Sequence, residues 1–109
     1  MIYRLEKEKG KFMQIHKKLI DDNNLTTNAK AILIYMLSKP DDWQFFELDI
    51  TKHFKDNIKV IRKGVKELID KEYIDRNKLR NTKGKFVYLY DIYEQPELNI
   101  ESTESEYEW

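Results

Sequence analysis

The chain has 109 residues, 40% hydrophobic, 13% aromatic and 37% charged, with a formal net charge of zero and no cysteine. That length supports about one domain with a single small core, and the lack of cysteine excludes disulfides, thiolate metal sites and cysteine nucleophiles. No apolar run approaches the roughly 18 residues of a membrane span, and the opening MIYRLEKEKG lacks the apolar core of a signal peptide; the expectation is a cytoplasmic protein with no membrane partner.

The zero net charge conceals a polarised chain. From Glu94 to Trp109 there are six acidic residues and no basic ones, which leaves +6 on residues 1 to 93. Between Lys52 and Lys85, twelve Lys and Arg face five Asp and Glu, a net of +7. Basic character concentrated in this way suits a nucleic-acid footprint; a highly charged solvated surface is the plainer alternative.

Ile2 to Leu5 and Phe12 to Ile15 are short apolar or alternating runs flanking EKEKGK, whose Gly10 tolerates positive φ, so the pattern predicts a small N-terminal β-hairpin. His16 to Asp22 predicts one helical turn with Leu19 and Ile20 inward. His16 and His53 have no neighbouring Cys or His and read as surface or turn residues, not ligands.

Leu25-Thr26-Thr27 opens a stronger helix, since either Thr can cap free N–H groups of the first turn. Ala29, Ile32, Leu33, Met36 and Leu37 follow at helical spacing, with Ile34 and Tyr35 widening the buried stripe. Ser38-Lys39-Pro40 ends it, because proline cannot continue the hydrogen-bond ladder. Asp41 and Asp42 after Pro40 read as turn chemistry, and Trp43 as an anchor beneath the turn. A second helix is predicted from about Glu47 to Phe54, with Leu48, Ile50 or Thr51, and Phe54 toward the core.

Asp56 to Lys71 is the most informative stretch. At 100° per residue Ile58, Ile61, Val65, Leu68 and Ile69 form one stripe, while Lys59, Lys63 and Lys66 gather opposite it with Arg62 at the border. One face wants burial and the other an anion. Gly64 in mid-helix costs about 1 kcal/mol relative to Ala, which suggests close approach to the preceding helix, a neutral role being the equal alternative. Two short helices joined by about three residues, the second basic on its outer face, give a helix-turn-helix pattern. YIDRNKL and FVYLYDIY then alternate like strands around Asn81 and Gly84, predicting a hairpin with Arg80, Lys83 and Lys85 at its tip and Arg76 and Lys78 on its ascending arm. The expected fold is α+β: a winged helix-turn-helix with a three-helix core, a C-terminal β-hairpin wing and an N-terminal β-hairpin, over residues 1 to 95. Residues 96 to 109 read as an acidic, disordered tail; Tyr107 and Trp109 among its glutamates also suggest docking on a partner or on the basic face.

The runs LTTNAKAILIYMLSKPDDWQF and KDNIKVIRKGVKELIDKEYIDRNKLRNTKGKF, with a Tyr-rich strand ending in DIYEQP, resemble the helix-turn-helix domains of replication and DNA-handling proteins from phages and mobile elements of low-GC Gram-positive bacteria. Over roughly Phe12 to Pro96 the chain is similar to the N-terminal domain of DnaD-like replication initiators, the PDDW turn, the KELIDKEYI helix end and the RNTKGKF wing being the most specific pieces. The resemblance implies binding of double-stranded DNA at an origin of replication or transfer, with a homodimer and a replication or transfer protein as further partners. The larger initiators carry a second, oligomerising domain for which the chain leaves no room. Small proteins of this shape also include transcriptional regulators, and winged helices serve as protein-interaction modules.

Under the DNA-binding reading, Asn57, Lys59, Arg62 and Lys63 lie early on the recognition helix, within reach of base edges. Lys52, Lys55, Lys66, Arg80, Lys83 and Lys85 would supply phosphate contacts, giving affinity and register without sequence choice, and Arg76 and Lys78 on the ascending arm complete the DNA-binding set. No nucleophile, metal set or phosphate-binding loop supports an enzyme, and no cofactor is expected.

Overall fold

Why Asp56 to Lys71 folds where it does is clear from its first residues. The Asn57 side chain accepts a hydrogen bond from the Val60 N–H at 3.2 Å, capping the helix Ile58–Asp70 and satisfying one of its free amides. Ile61, Val65 and Leu68 are buried almost completely, each such side chain contributing about 1.5–3 kcal/mol by leaving water. Together they outweigh the cost of Gly64. A Cβ on Gly64 would collide with the Ile32 side chain, so the glycine does mark a close approach, but to the helix before the preceding one.

The computed structural model describes residues 1–99; the remainder of the predicted acidic tail lies outside the described residues. In chain order the elements are α1 (Lys17–Asp21), α2 (Thr27–Leu37), α3 (Glu47–Thr51), α4 (Ile58–Asp70), β1 (Ile74–Arg80), β2 (Phe86–Ile92) and a 3-10 turn at Pro96–Leu98. The core joins Ala29, Ile32, Leu33 and Met36 of α2 to Ile50 of α3 and the apolar stripe of α4. Leu19, Leu25, Phe45, Tyr73 and Ile74 close its ends. The two strands pair antiparallel from Ile74↔Ile92 to Arg80↔Phe86. This is the winged helix-turn-helix arrangement: α2, α3 and α4 as the trihelical core, and the β1–β2 hairpin as the wing.

Two caps hold the core together from outside. The Thr26 hydroxyl accepts from the Ala29 N–H at the start of α2, and the Glu67 carboxylate of α4 accepts from both the Thr26 N–H and the Thr26 hydroxyl, at 2.7 and 2.9 Å. At the other end α4 stops in a left-handed residue, Glu72 with φ 68°. The Tyr73 N–H reaches back to Leu68 O and the Glu72 N–H to Ile69 O, the paired bonds of a Schellman motif. That turn sends Tyr73 and Ile74 into the core and launches the wing.

The structure corrects several further expectations, among them Leu48, which is exposed and does not turn toward the core. The N-terminal β-hairpin does not form: Gly10 takes φ 79° and Lys11 N–H bonds Glu8 O, but no ladder follows. Ile2, Tyr3 and Leu5 are exposed, and a two-stranded ribbon with nothing to pack on is at best marginal. Ile20 faces solvent while Leu19 alone of that pair is buried. Trp43 is 48% exposed and stacks under the Lys39 ammonium instead of anchoring the turn. Helix α3 ends at Thr51, not Phe54, so the turn of the motif runs over residues 52–57; His53 and Phe54 leave the helix to lay their rings against Tyr35. Past β2, Asn99 is buried and donates to Glu72 O and the Asp75 carboxylate, while Glu97 and Leu98 are exposed.

Candidate nucleic-acid interface

On α4 the helical period turns Lys59, Lys63 and Lys66 away from the core, and all three are exposed. No ion pair among the described residues engages them, so three positive charges line one face over two turns. Lys55 is exposed in the preceding turn. Lys52 is exposed too, with its ammonium 3.6 Å from Asp49. Asn57 has committed its side-chain oxygen to the cap, which leaves only its amide nitrogen for another partner.

The wing tip is built around Asn81. Its side-chain oxygen accepts from the Lys83 and Lys85 N–H groups at 2.9 and 3.0 Å, its own N–H donates to Lys85 O, and Gly84 supplies the positive φ that closes the turn. Lys83 and Lys85 are thereby held at the exposed end of the hairpin. Below the tip the strand period of two sets Arg76, Lys78 and Arg80 of β1 on the same face as Phe86, Tyr88 and Tyr90 of β2. The Arg76 guanidinium lies 4.6 Å from the Tyr88 ring centre. The Lys78 ammonium and the Arg80 guanidinium lie 4.2 and 4.9 Å from that of Phe86.

Helix and wing meet at Glu47, the first residue of α3. Its carboxylate accepts from Arg62 Nε at 2.6 Å and from Arg76 at 3.4 Å, tying α4 to β1 across the start of α3. The Glu47 side chain is only 18% exposed, so the pairing is partly shielded from water. Tyr90 lies behind it, edge-on to Phe45, and burial raises its phenol above the ordinary value against the opposing influence of Arg76. The protonated hydroxyl therefore persists through the physiological range.

Between the wing face and the two helices runs a groove of about 450 Å³, with Phe46, Leu48 and Ile58 on one wall and Phe86 and Tyr88 on the other. Arg62 and Glu47 also line it. Lysine and arginine positions were legible from the sequence; Glu47, Phe46 and Leu48 were not recognisable there as parts of a site. Their one signal was the FFEL run itself, an acid set among large apolar residues at a helix start. Of the twelve basic or polar positions anticipated, the structure brings Lys59, Lys63 and Lys66 onto one free face and Lys83 and Lys85 to the tip. Arg62 and Arg76 are held by Glu47, and Lys78 and Arg80 lie against Phe86.

Among the described residues no helix is long and apolar enough to cross a membrane, and no three His, Cys, Asp or Glu side chains converge to hold a metal. No family model and no curated protein sequence matches the chain. Among solved structures, the fold is similar to that of a possible transcriptional regulator from Methanosarcina mazei Go1, with a TM-score of 0.56 and 22% identity over 83% of this chain and 77% of that one.

Proposed function

We propose that this protein binds double-stranded DNA and acts as a sequence-selective regulator, with α4 in the major groove and the wing on the flanking backbone. The observation that carries this reading is the free face of Lys59, Lys63 and Lys66 on the helix that a winged helix-turn-helix presents to DNA. Lys52, Lys55, Lys83 and Lys85 extend it as phosphate contacts, while Asn57, Lys59, Arg62 and Lys63 stand early enough on α4 to reach base edges. The likeness to a possible transcriptional regulator supports the regulatory role over others available to the fold.

A narrower reading, recognition of an origin of replication or transfer on a mobile element, rests on the resemblance to DnaD-like initiators. It would use the same side chains. Selection of bound duplexes from a random pool, followed by titration of the winner in rising salt, tests both. The expected result is an enriched motif and a log–log salt slope steeper than about −4, since each phosphate contact contributes about −0.9. A palindromic motif with half-sites about one helical turn apart would indicate binding as a homodimer and favour transcriptional control; repeated direct copies would favour an origin. Failure to enrich any sequence, with a slope near zero, would remove the DNA-binding reading.

A further inference from the structure

We infer that the groove between the wing and the two helices is a second nucleic-acid site, one that takes the unpaired bases of a single strand by stacking on Phe86 and Tyr88. The observation is the pairing of exposed rings with cations. Phe86 is 56% exposed and Tyr88 40%, which is unusual for large aromatics two residues apart on one face of a strand. Each has a cation set against it: Arg76 on Tyr88, and Lys78 and Arg80 on Phe86. Aromatic platforms beside a cationic track are what single strands need, because every base has a π-face and every linkage a phosphate.

Spacing separates this site from the duplex interface. Residues two apart on a strand stand about 6.8 Å from one another, twice the rise of about 3.4 Å between bases stacked along a duplex strand. A duplex, whose ring faces are already covered by neighbouring base pairs, cannot put one base on each ring. An extended, unstacked strand can. The opposite wall of the groove is also wrong for a duplex backbone: Leu48 and Phe46 are exposed apolar side chains, which phosphates avoid and base faces tolerate. Arg62 in the groove lining and Arg76, Lys78 and Arg80 on the wing face beside it set four cations around the Glu47 carboxylate, which pairs with two of them.

The test measures anisotropy of a labelled oligothymidine of about 15 nucleotides and, separately, of the selected duplex, both at about 50 mM salt. Phe86→Leu and Tyr88→Leu keep the charge and apolar bulk but remove the π-face, and circular dichroism melts confirm that the variants fold. Each is expected to weaken oligothymidine binding by about tenfold, the effect of one base no longer stacked, while moving duplex affinity less than about twofold. Lys59→Ala with Lys63→Ala is expected to do the reverse. The proposal is overturned if the wild-type protein does not bind the oligothymidine, if the leucine variants bind it unchanged, or if they weaken duplex and single strand alike. It is also overturned if a synthetic peptide of residues 101–109 binds the groove and the oligothymidine does not. Loss of duplex binding alone would leave this site standing and count only against the regulatory reading.

Discussion

At the scale of single residues, Glu47 decides how many cations are free to meet a polyanion. It holds Arg62 and Arg76 at once, so both arginines begin any encounter already neutralised in part. Because the Arg62 side chain is largely exposed, this pairing contributes at most about 1 kcal/mol to stability and acts mainly on binding. Glu47→Gln is expected to raise duplex affinity severalfold at low salt and to steepen the log–log salt slope by up to about 0.9 for each arginine that then finds a phosphate; a salt titration beside the wild type checks it, and an unchanged slope contradicts it. The sequence placed Arg62 correctly at the border of the α4 face. It could not show the acid that restrains it, because that partner lies on a different element. A second residue pair governs acid stability. The Tyr73 hydroxyl donates to the Asp22 carboxylate at 2.7 Å, and this bond, aided by the Asn24 N–H, lowers the Asp22 carboxyl below its ordinary value despite partial burial. A depressed carboxylate stabilises the fold fully above its unfolded value, and that stability is lost as pH falls through the lowered folded one. Tyr73→Phe is therefore expected to flatten the loss of stability below about pH 4, as well as lowering stability at neutral pH, in urea melts run at a series of pH values.

At the scale of elements, the joint between α4 and β1 matters most, since it fixes the angle of the wing to the helix. Its Schellman turn places Glu72 at φ 68°, a left-handed conformation costing an ordinary residue about 1–2 kcal/mol and normally given to glycine. Glu72→Gly is expected to raise stability by about 0.5–1 kcal/mol, the strain relieved less the extra entropy glycine loses on folding; denaturant unfolding with an unchanged m-value is the check. The bond from Asn99 to Glu72 O is to the backbone and survives the change. The sequence carried no glycine here, so the helix end was legible only from the exhaustion of the apolar stripe, and it still fell within a residue of Asp70. Periodicity served α2, α4 and the wing well because each has many buried or alternating positions. It failed for α3, where five residues are too few for a period and where His53 and Phe54, past the helix end, set their rings beside Tyr35. It failed again at residues 2 to 15, where alternation was present but Ile2, Tyr3, Leu5 and Phe12 stay exposed and Ile15 alone of those apolar residues packs against the core.

At the scale of the whole molecule, the charge that is invisible in the net is divided between two elements differently placed with respect to the core. The α4 lysines stand on a helix whose opposite face is the centre of the core. Lys83 and Lys85 stand at the end of a two-stranded ribbon whose residues packed on the core, Ile74, Tyr90 and Ile92, lie toward its other end. An element packed on the core can hold side chains against base edges within the tolerance that discrimination demands, whereas cations at an exposed hairpin tip suit the backbone of any sequence. The two sets are thus expected to fail differently. Lys59→Ala and Lys63→Ala together should lower the ratio of specific to non-specific affinity by about tenfold or more, as base contacts worth about 1–3 kcal/mol disappear. Arg80→Ala, Lys83→Ala and Lys85→Ala together should weaken specific and non-specific duplexes by the same factor and flatten the salt slope by about 0.9 for each phosphate no longer neutralised. Competition of the selected site against a scrambled duplex, repeated at three salt concentrations, distinguishes them. If the wing triple variant loses discrimination and the helix variant keeps it, the reading element is the hairpin, and the lysines of α4 do no more than hold phosphate.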